Sequence, residues 1–159
     1  MKKNPFKIIP GAPKPLRLEV ERRVRFEEVD ALGIVWHGRY PSYLEDIREA
    51  LGDHYGIGYL DFFREGLITP IRQLHIDYHQ PLQLHEKLTI QGELHWSEAA
   101  RLNFTYQIFN AQNELTTSGH SVQMILDYQN RNVLMVPPPF FQTFLERWRQ
   151  NGNPEEIHE

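Results

Sequence analysis

The stretch "VDALGIVWHGRYPSYLEDIREAL", Val29 to Leu51, decides the fold because the spacing of its apolar residues changes along it. Upstream, apolar and charged residues alternate as on a half-buried strand, and the apolar face consists of Leu18, Val20, Val24 and Phe26. Downstream, apolar residues recur every three or four positions, as on an amphipathic helix; they are Tyr40, Tyr43, Leu44, Ile47, Leu51 and Tyr55. The pattern predicts a strand, a turn at Asp30 to Gly33, and a helix starting near Tyr40.

The residues after the helix predict an antiparallel sheet. Apolar and polar residues alternate over 74–79, 87–96 and 101–108, and a last apolar series is formed by Val122, Met124, Leu126 and Tyr128. Short polar links such as "SEAAR" and "NAQNE" are typical of antiparallel neighbours. One strand, one long helix and four strands predict an α+β fold in which the helix covers the apolar face of the sheet. A sheet of this kind leaves a long edge strand, and pairing of that edge with a second copy predicts at least a homodimer.

The chain of 159 residues fits a single domain. Residues 1–15 are proline-rich and predict an extended arm in solvent, residues 16–150 form the predicted domain, and residues 151–159 read as a polar tail. Before the strands, "YLDFFREG" predicts a short second helix or an irregular cover, and "FFQTFLERWRQ" near the end predicts a terminal helix.

Composition excludes several classes of function. Seventeen basic against 21 acidic residues give a net charge of −4, which argues against a nucleic-acid binder that depends on phosphate contacts. The absence of cysteine excludes disulfides, thiolate metal sites and cysteine nucleophiles. No apolar run approaches the roughly 18 residues of a membrane helix, and prolines interrupt the N-terminal segment where a signal peptide would be continuous. We therefore expect a cytoplasmic protein without a membrane partner.

Asp30 is the first candidate for chemistry. A carboxylate in a strand-to-helix turn is commonly a helix cap or part of an Asx-turn. The helical pattern begins near Tyr40, so Asp30 is too distant to cap that helix, and the intervening "ALGIVWHGR" is apolar enough to line a pocket. A carboxylate facing a pocket beside the free N–H groups of a helix start can attack a carbonyl or activate water while the N–H groups hold the oxyanion.

Several other polar residues have two possible roles. His37 could act as a general base near neutral pH, or it could be a hydrogen-bonding or packing residue. His75, Asp77 and His79 share one face of a strand. Residues two and four positions apart on a strand lie roughly 7 and 13 Å apart, which is too far for one metal ion, so a solvated face is expected and no metal site is predicted.

Aromatic and charged residues around the helix start also allow alternatives. Trp36, Tyr40 and Tyr43 could line an acyl pocket or could pack in the core. Glu45 and Arg48, three positions apart, are expected to form an ion pair on the surface or facing a second subunit.

The motif from Asp30 onward resembles the signature of the hotdog-fold thioesterases of the 4-hydroxybenzoyl-CoA thioesterase type. That signature reads Asp-x-x-Gly-x-Val-x-(His/Tyr)-x-x-Tyr-x-x-x-x-Glu-x-x-Arg, and "DALGIVWHGRYPSYLEDIR" matches it at each specified position. A weaker likeness is the later "IDYHQPLQLHEKLTI", where an aromatic residue, a proline and an acidic residue precede a strand. The likeness covers roughly residues 18–130 and implies a hotdog fold, an antiparallel sheet wrapped around one long helix.

The resemblance implies a site and a substrate. Asp30 would be the catalytic carboxylate, as nucleophile or as general base, and the backbone N–H of His37 would polarise the thioester carbonyl. The residues implied in substrate binding are Gly33, Val35, Trp36, Tyr40, Tyr43 and Arg101. Coenzyme A would enter as part of the substrate, with no cofactor and no metal, at the interface of a homodimer or homotetramer.

Three functions follow, and they belong to different classes. The first is hydrolysis of acyl-CoA thioesters. The hairpin "HWSEAARLN" offers only Arg101 where related enzymes carry several basic residues for the nucleotide, so an acyl carrier protein could present the thioester instead. The second is binding of an acyl or aromatic ligand without turnover, or a role as a subunit of an assembly. The third is another hotdog chemistry, such as dehydration of a hydroxyacyl thioester, although Asp30 favours hydrolysis.

Overall fold

The computed structural model describes residues 4–152. Helix α1 spans Tyr40–Tyr55, and all six apolar residues of its predicted face are buried. Pro41 lies in the first turn, where its missing N–H removes no hydrogen bond. Gly56 ends the helix with a left-handed backbone (φ 72°), which glycine adopts without steric cost. The helix is therefore where the apolar spacing predicts it.

Within residues 4–152, seven strands and two further α-helices complete the fold. The strands are β1 (Leu16–Arg23), β2 (Leu67–Ile68), β3 (Ile71–Tyr78), β4 (Lys87–His95), β5 (Arg101–Phe109), β6 (Leu115–Met124) and β7 (Leu126–Asp127). The helices are α2 (Tyr59–Arg64) and α3 (Pro139–Asn151). Five strands form an antiparallel sheet in the order β1-β4-β5-β6-β3, and β2 pairs separately with β7. None of the helices in this part of the chain is long and apolar enough to cross a membrane.

Helix α1 packs against the inner face of β1 and β4. The inward-facing residues of β4 and of the central strand β5 are buried; they are Leu88, Ile90, Leu94, Leu102, Phe104, Tyr106 and Ile108. Gly92 allows a close approach, because a Cβ atom at this position would lie 2.6 Å from Cγ1 of Ile47. The helix therefore lies directly on β4, in the α+β arrangement that the sequence predicts.

The first strand is shorter than predicted. β1 ends at Arg23, and Phe26, which was expected on its apolar face, lies in a short 3-10 turn (Phe26–Glu28) and is 79% exposed. The turn is closed by the Glu28 carboxylate, which accepts a hydrogen bond from the Arg25 N–H (2.7 Å). This local bond competes with continuation of the strand.

The strand β6 begins earlier than predicted, at Leu115. Its first half is rich in hydroxyl side chains, and the buried Thr116 donates a hydrogen bond to the carbonyl of Ile108 (3.0 Å). Because satisfied hydroxyls can be buried, the strand has no apolar alternation in this half. Leu126, expected to extend the same strand, belongs instead to β7 and pairs with Ile68.

Residues 4–15 are mostly exposed, but they also contact the domain at several points that the sequence did not predict. Ile9 and Ala12 pack against the core, and the indole N–H of Trp148 in α3 donates to the carbonyl of Lys14 (3.1 Å). The ring of Phe6 lies 5.5 Å from that of His95 on the outer face of the sheet. Isolated apolar residues between prolines have no period, so the sequence did not reveal this packing. Of the predicted tail, Asn151 ends α3, and residues beyond 152 lie outside the described part.

The expected ion pair between Glu45 and Arg48 is present, but within this chain Arg48 is buried in the core and not exposed on the surface. Its guanidinium donates to the hydroxyl of Tyr106 (3.0 Å) and to the carboxylate of Glu45. Burial disfavours the charged form, but the phenol oxygens of Tyr106 and Tyr59 together outweigh it, and the pKa of Arg48 is raised. Burial also raises the pKa of Tyr106 to about 12, so its hydroxyl stays protonated and shares a hydrogen bond with Ser121.

Candidate active site

Asp30 lies exposed in a tight turn between β1 and α1. Its Oδ1 accepts a hydrogen bond from the N–H of Leu32 (2.8 Å), which makes an Asx-turn. Its backbone closes the turn through bonds with Gly33 (3.0 Å) and Ile34 (2.9 Å), and Gly33 has a left-handed φ of 74°. Within residues 4–152 Leu32 is the one donor to this carboxylate, so Oδ2 can reach a ligand. The Asx-turn is therefore present and does not occupy the whole side chain.

A 3-10 turn, His37–Arg39, leads directly into α1. Two long-range backbone bonds hold its approach: Val35 donates to the carbonyl of Leu82, and Trp36 donates to the carbonyl of Glu28, both at 2.9 Å. The first N–H groups of a helix have no acceptor inside it. Those of His37 and Gly38 find no backbone acceptor among residues 4–152, and they lie at the electropositive end of α1.

One cavity of about 320 Å³ joins these two features. Its lining consists of Asp30, Ile34, Val35, His37, Tyr40, Tyr78, His79, Gln80 and Pro81. Four residues predicted for the site, Asp30, Val35, His37 and Tyr40, thus line the same wall. The walls are mostly apolar or aromatic, with one carboxylate and two histidines, which is the composition of a small-molecule site.

The other four predicted residues lie outside this wall. Gly33 shapes the Asp30 turn, and Trp36 is half-exposed beside it. Tyr43 is 2% exposed in the core, its ring lies 5.8 Å from that of Tyr40, and burial raises its pKa. Arg101 lines a different cavity, of about 460 Å³, between residues 5–9 and the outer face of the sheet. Within one copy of the chain, Arg101 is therefore not part of the Asp30 cavity.

The end of β3 supplies residues that the sequence did not assign to the site. Tyr78 donates a hydrogen bond from its hydroxyl to the carbonyl of His37 (2.9 Å), and its ring meets that of Tyr40 edge-on at 4.9 Å. His79 is exposed, as expected for a solvated face, and it also lines the cavity, where its Nε2 is 2.9 Å from Oγ of Ser118. The sequence carries no local signal for this, because β3 and the Asp30 turn meet only through the sheet and the helix start.

In the described part of the chain, the remaining acidic and imidazole groups do not form a metal centre. Across residues 4–152 no group of three or more His, Asp or Glu side chains is arranged to hold a metal ion. His75 instead pairs with Asp77 (3.1 Å) and stacks on His120 with ring centroids 5.1 Å apart. These rings lie on the outer face of the sheet, in a different cavity from that of Asp30.

Comparisons with known proteins agree with this architecture. A sequence profile described as the thioesterase-like superfamily matches residues 24–146. The chain is 29% identical over 105 residues to the acyl-CoA thioester hydrolase YbgC of Escherichia coli O157:H7, which covers 66% of this chain and 78% of that protein. It is 26% identical over 145 residues to the 1,4-dihydroxy-2-naphthoyl-CoA hydrolase of Thermosynechococcus vestitus, which covers 91% and 94%.

The fold also matches solved structures. The DHNA-CoA thioesterase of Staphylococcus aureus superimposes with a TM-score of 0.75 at 23% identity, covering 84% of this chain and 91% of that one. This likeness confirms the predicted hotdog fold. Together with the profile match, it confirms the resemblance read from the Asp30 motif. The named relatives agree with the predicted class of enzyme, an acyl-thioester hydrolase.

Proposed function

Because this chain belongs to the thioesterase-like superfamily, we propose that it hydrolyses acyl-CoA thioesters in the cavity that contains Asp30. The observation that carries the proposal is the presence of one carboxylate and one helix N-terminus on the same cavity. Two relatives named for hydrolysis of CoA thioesters support coenzyme A as the carrier of the acyl group.

The proposed chemistry needs both features. The thioester carbonyl lies near the first turn before α1, where the N–H of His37 stabilises the oxyanion that forms on the carbonyl oxygen. Asp30 either attacks the carbonyl carbon, giving an anhydride that water hydrolyses, or removes a proton from the attacking water. In both routes water supplies the hydroxyl of the acid, the C–S bond breaks, and a proton passes to the thiolate of coenzyme A.

The acyl group lies against the apolar part of the cavity. This wall consists of Ile34, Val35, Tyr40, Tyr78 and Pro81. A volume of about 320 Å³ is at the lower end for small-molecule sites, so the pantetheine arm extends out of the cavity. Which acyl group fits best is read directly from a substrate panel.

The test is release of free thiol from short aliphatic, long aliphatic and aromatic acyl-CoAs, with an acyl carrier protein thioester as a further substrate. Asp30→Asn keeps an oxygen that can accept the Leu32 N–H but removes the negative charge. Asp127→Asn is the matched control, since Asp127 forms a similar turn by accepting from Gln129 (2.9 Å) and Asn130 (3.0 Å). We expect turnover by the wild type and the control, and a collapse in Asp30→Asn.

Each other outcome has a definite meaning. Wild-type turnover that survives Asp30→Asn keeps the hydrolase and removes Asp30 from its centre. Turnover of the carrier-protein thioester but of no acyl-CoA would show that the acyl group is presented by an acyl carrier protein and not by coenzyme A. Tight binding of acyl-CoA without thiol release supports the ligand-binding alternative and contradicts the proposal.

The proposed reaction requires no cofactor, because the carboxylate, the helix N–H groups and water supply every group that reacts. We expect prolonged dialysis against EDTA to leave the rate of thiol release unchanged. A loss of activity that an added divalent metal restores would contradict this part of the proposal. A cytoplasmic location stays a prediction.

We also propose that the active protein is at least a homodimer built on the edge of β3. This strand has β6 on one side, and its other edge is unpaired among residues 4–152. Exposed apolar side chains, Ile71, Leu74 and Tyr78, follow the edge, which isolated soluble domains usually cover. Pairing with a second β3 would place the partner beside the cavity, since Tyr78 and His79 line it.

Light scattering after gel filtration tests the assembly. Leu74→Lys places a charge on the edge and should lower the measured mass to that of one chain. Leu60→Lys is the control, because Leu60 is exposed on α2, away from this edge. An unchanged mass in Leu74→Lys would remove the β3 edge from the interface.

A further inference from the structure

The hydroxyl of Tyr78 makes a contact that the sequence did not suggest. Tyr78 is the last residue of β3, and its hydroxyl donates to the backbone carbonyl of His37 at 2.9 Å. Its ring packs edge-on against Tyr40, with centroids 4.9 Å apart and planes at 88°. The side chain therefore connects the end of an edge strand to the first residue of the turn before α1.

The contact lies on the residue whose N–H is the proposed oxyanion donor. The His37 carbonyl and the Gly38 N–H belong to one planar peptide unit, so the bond limits rotation about ψ of His37 and fixes the direction of the Gly38 N–H, the second free donor of this turn. The next residue is Gly38, which has more backbone freedom than any other type. A Cβ atom at Gly38 would lie 2.5 Å from the ring of Trp36, so a stiffer residue does not fit there without displacing that ring.

We propose that Tyr78 is a positioning residue, which holds the His37–Gly38 turn in the conformation that binds the oxyanion. This inference rests on the proposed hydrolysis at Asp30 and assigns a role that the chemistry itself leaves open. Tyr78 does not exchange a proton with the substrate in this role. It acts through the backbone of His37.

The alternative is that Tyr78 is only part of the cavity wall. A wall residue contributes through its ring, and a positioning residue contributes through its hydroxyl. Tyr78→Phe separates the two, since it keeps the ring against Tyr40 and removes only the bond to His37. Tyr128→Phe is a matched control: Tyr128 is also about half-exposed, its ring packs on Phe63 (5.1 Å), and neither residue lines the Asp30 cavity.

The kinetic test is kcat and KM for both variants on the best acyl-CoA of the panel. We expect Tyr78→Phe to lower kcat by about 3- to 10-fold, the size of one lost hydrogen bond, with KM unchanged. Tyr128→Phe should match the wild type. An unchanged kcat, or a higher KM at unchanged kcat, would overturn the inference and leave Tyr78 as a wall residue.

A second measurement does not depend on turnover. Hydrogen–deuterium exchange of the segment 35–40 should be faster in Tyr78→Phe than in the wild type, and unchanged in Tyr128→Phe, because the turn has lost its restraint. Equal exchange in all three proteins would overturn the inference even if the enzyme is active. Failure of the proposed function appears differently, as absence of thiol release from the wild type.

Discussion

The buried length of helix α1 and the turn at its start have opposite surroundings. Along its length, Ile47 and Leu51 are fully buried, and Arg48 is held by Tyr106 and Glu45 beneath the sheet. At the start of the helix, the turn that begins at His37 lines an open cavity, and the exposed carboxylate of Asp30 lines the same cavity. The difference teaches that one element can serve stability and chemistry separately. Substitutions along the buried length should change the free energy of unfolding, and substitutions at the start should change the rate.

The largest expected effect on stability is at the buried length. Ile47→Ala removes a fully buried side chain that packs on Gly92, and it should lower the free energy of unfolding by about 2–5 kcal/mol. Leu60→Ala, the same kind of truncation at an exposed position, should change it by less than about 0.5 kcal/mol. Urea unfolding measures both. If Ile47→Ala keeps its stability but has a lower kcat, the buried length does not serve stability alone, and the separation of stability from chemistry along α1 is wrong.

Two glycines flank the helix and allow a matched comparison. Gly33 (φ 74°) shapes the Asp30 turn and Gly56 (φ 72°) ends α1, and an added Cβ meets nothing within 4 Å at either. Alanine at each should therefore cost a similar strain of about 1–2 kcal/mol in stability. Only Gly33→Ala should also lower kcat, because the turn that carries Asp30 shifts. Equal kcat in both variants would contradict a role for the geometry of this turn.

The smallest effect concerns the outer face of the sheet. Burial lowers the pKa of His95 despite Glu93 at 3.7 Å, and burial and the neighbouring His75 lower that of His120 despite Asp77. The folded protein thus binds these protons less readily than the unfolded chain. Stability from these groups is present above the unfolded pKa of about 6.5 and is lost as the pH falls below it.

The measurement is the unfolding temperature as a function of pH. The unfolding temperature of His95→Gln should fall less than that of the wild type between roughly pH 7 and 5, because one of the two histidines with a lowered pKa is gone. The rate of thiol release at fixed pH should not change, since His95 lies away from the cavity of Asp30. An unchanged decline would show that His95 does not contribute to it.

Local periodicity predicted most of the fold. The helix from Tyr40 and the strands β4 and β5 present one apolar face, so their patterns are visible without knowledge of their neighbours. The first half of β6 was missed because its buried side chains are hydroxyls, such as Thr116, that bond to the backbone. The pairing of Arg48 with Glu45 was predicted from their spacing, but the burial of Arg48 was not, because it depends on a distant partner, Tyr106, which no local pattern indicates.

The site was predictable only in part for the same reason. Asp30, Val35, His37 and Tyr40 are close in sequence, and the cavity brings them together. Tyr78 and His79 lie about forty residues after His37 in the chain, and they reach the cavity because β3 pairs with β6 in the sheet. Arg101 was linked to the site by family resemblance, and within one chain it lies under the N-terminal segment.

The most direct test of the account is to measure kcat/KM and the unfolding temperature of Asp30→Asn on the same preparation, beside the wild type and Asp127→Asn. Loss of a nucleophile or general base should reduce kcat/KM by at least about 100-fold. The unfolding temperature should stay at the wild-type value, because the amide oxygen still accepts the Leu32 N–H. Retained activity in a folded Asp30→Asn, or a loss matched by unfolding, would contradict the claim that Asp30 serves the reaction.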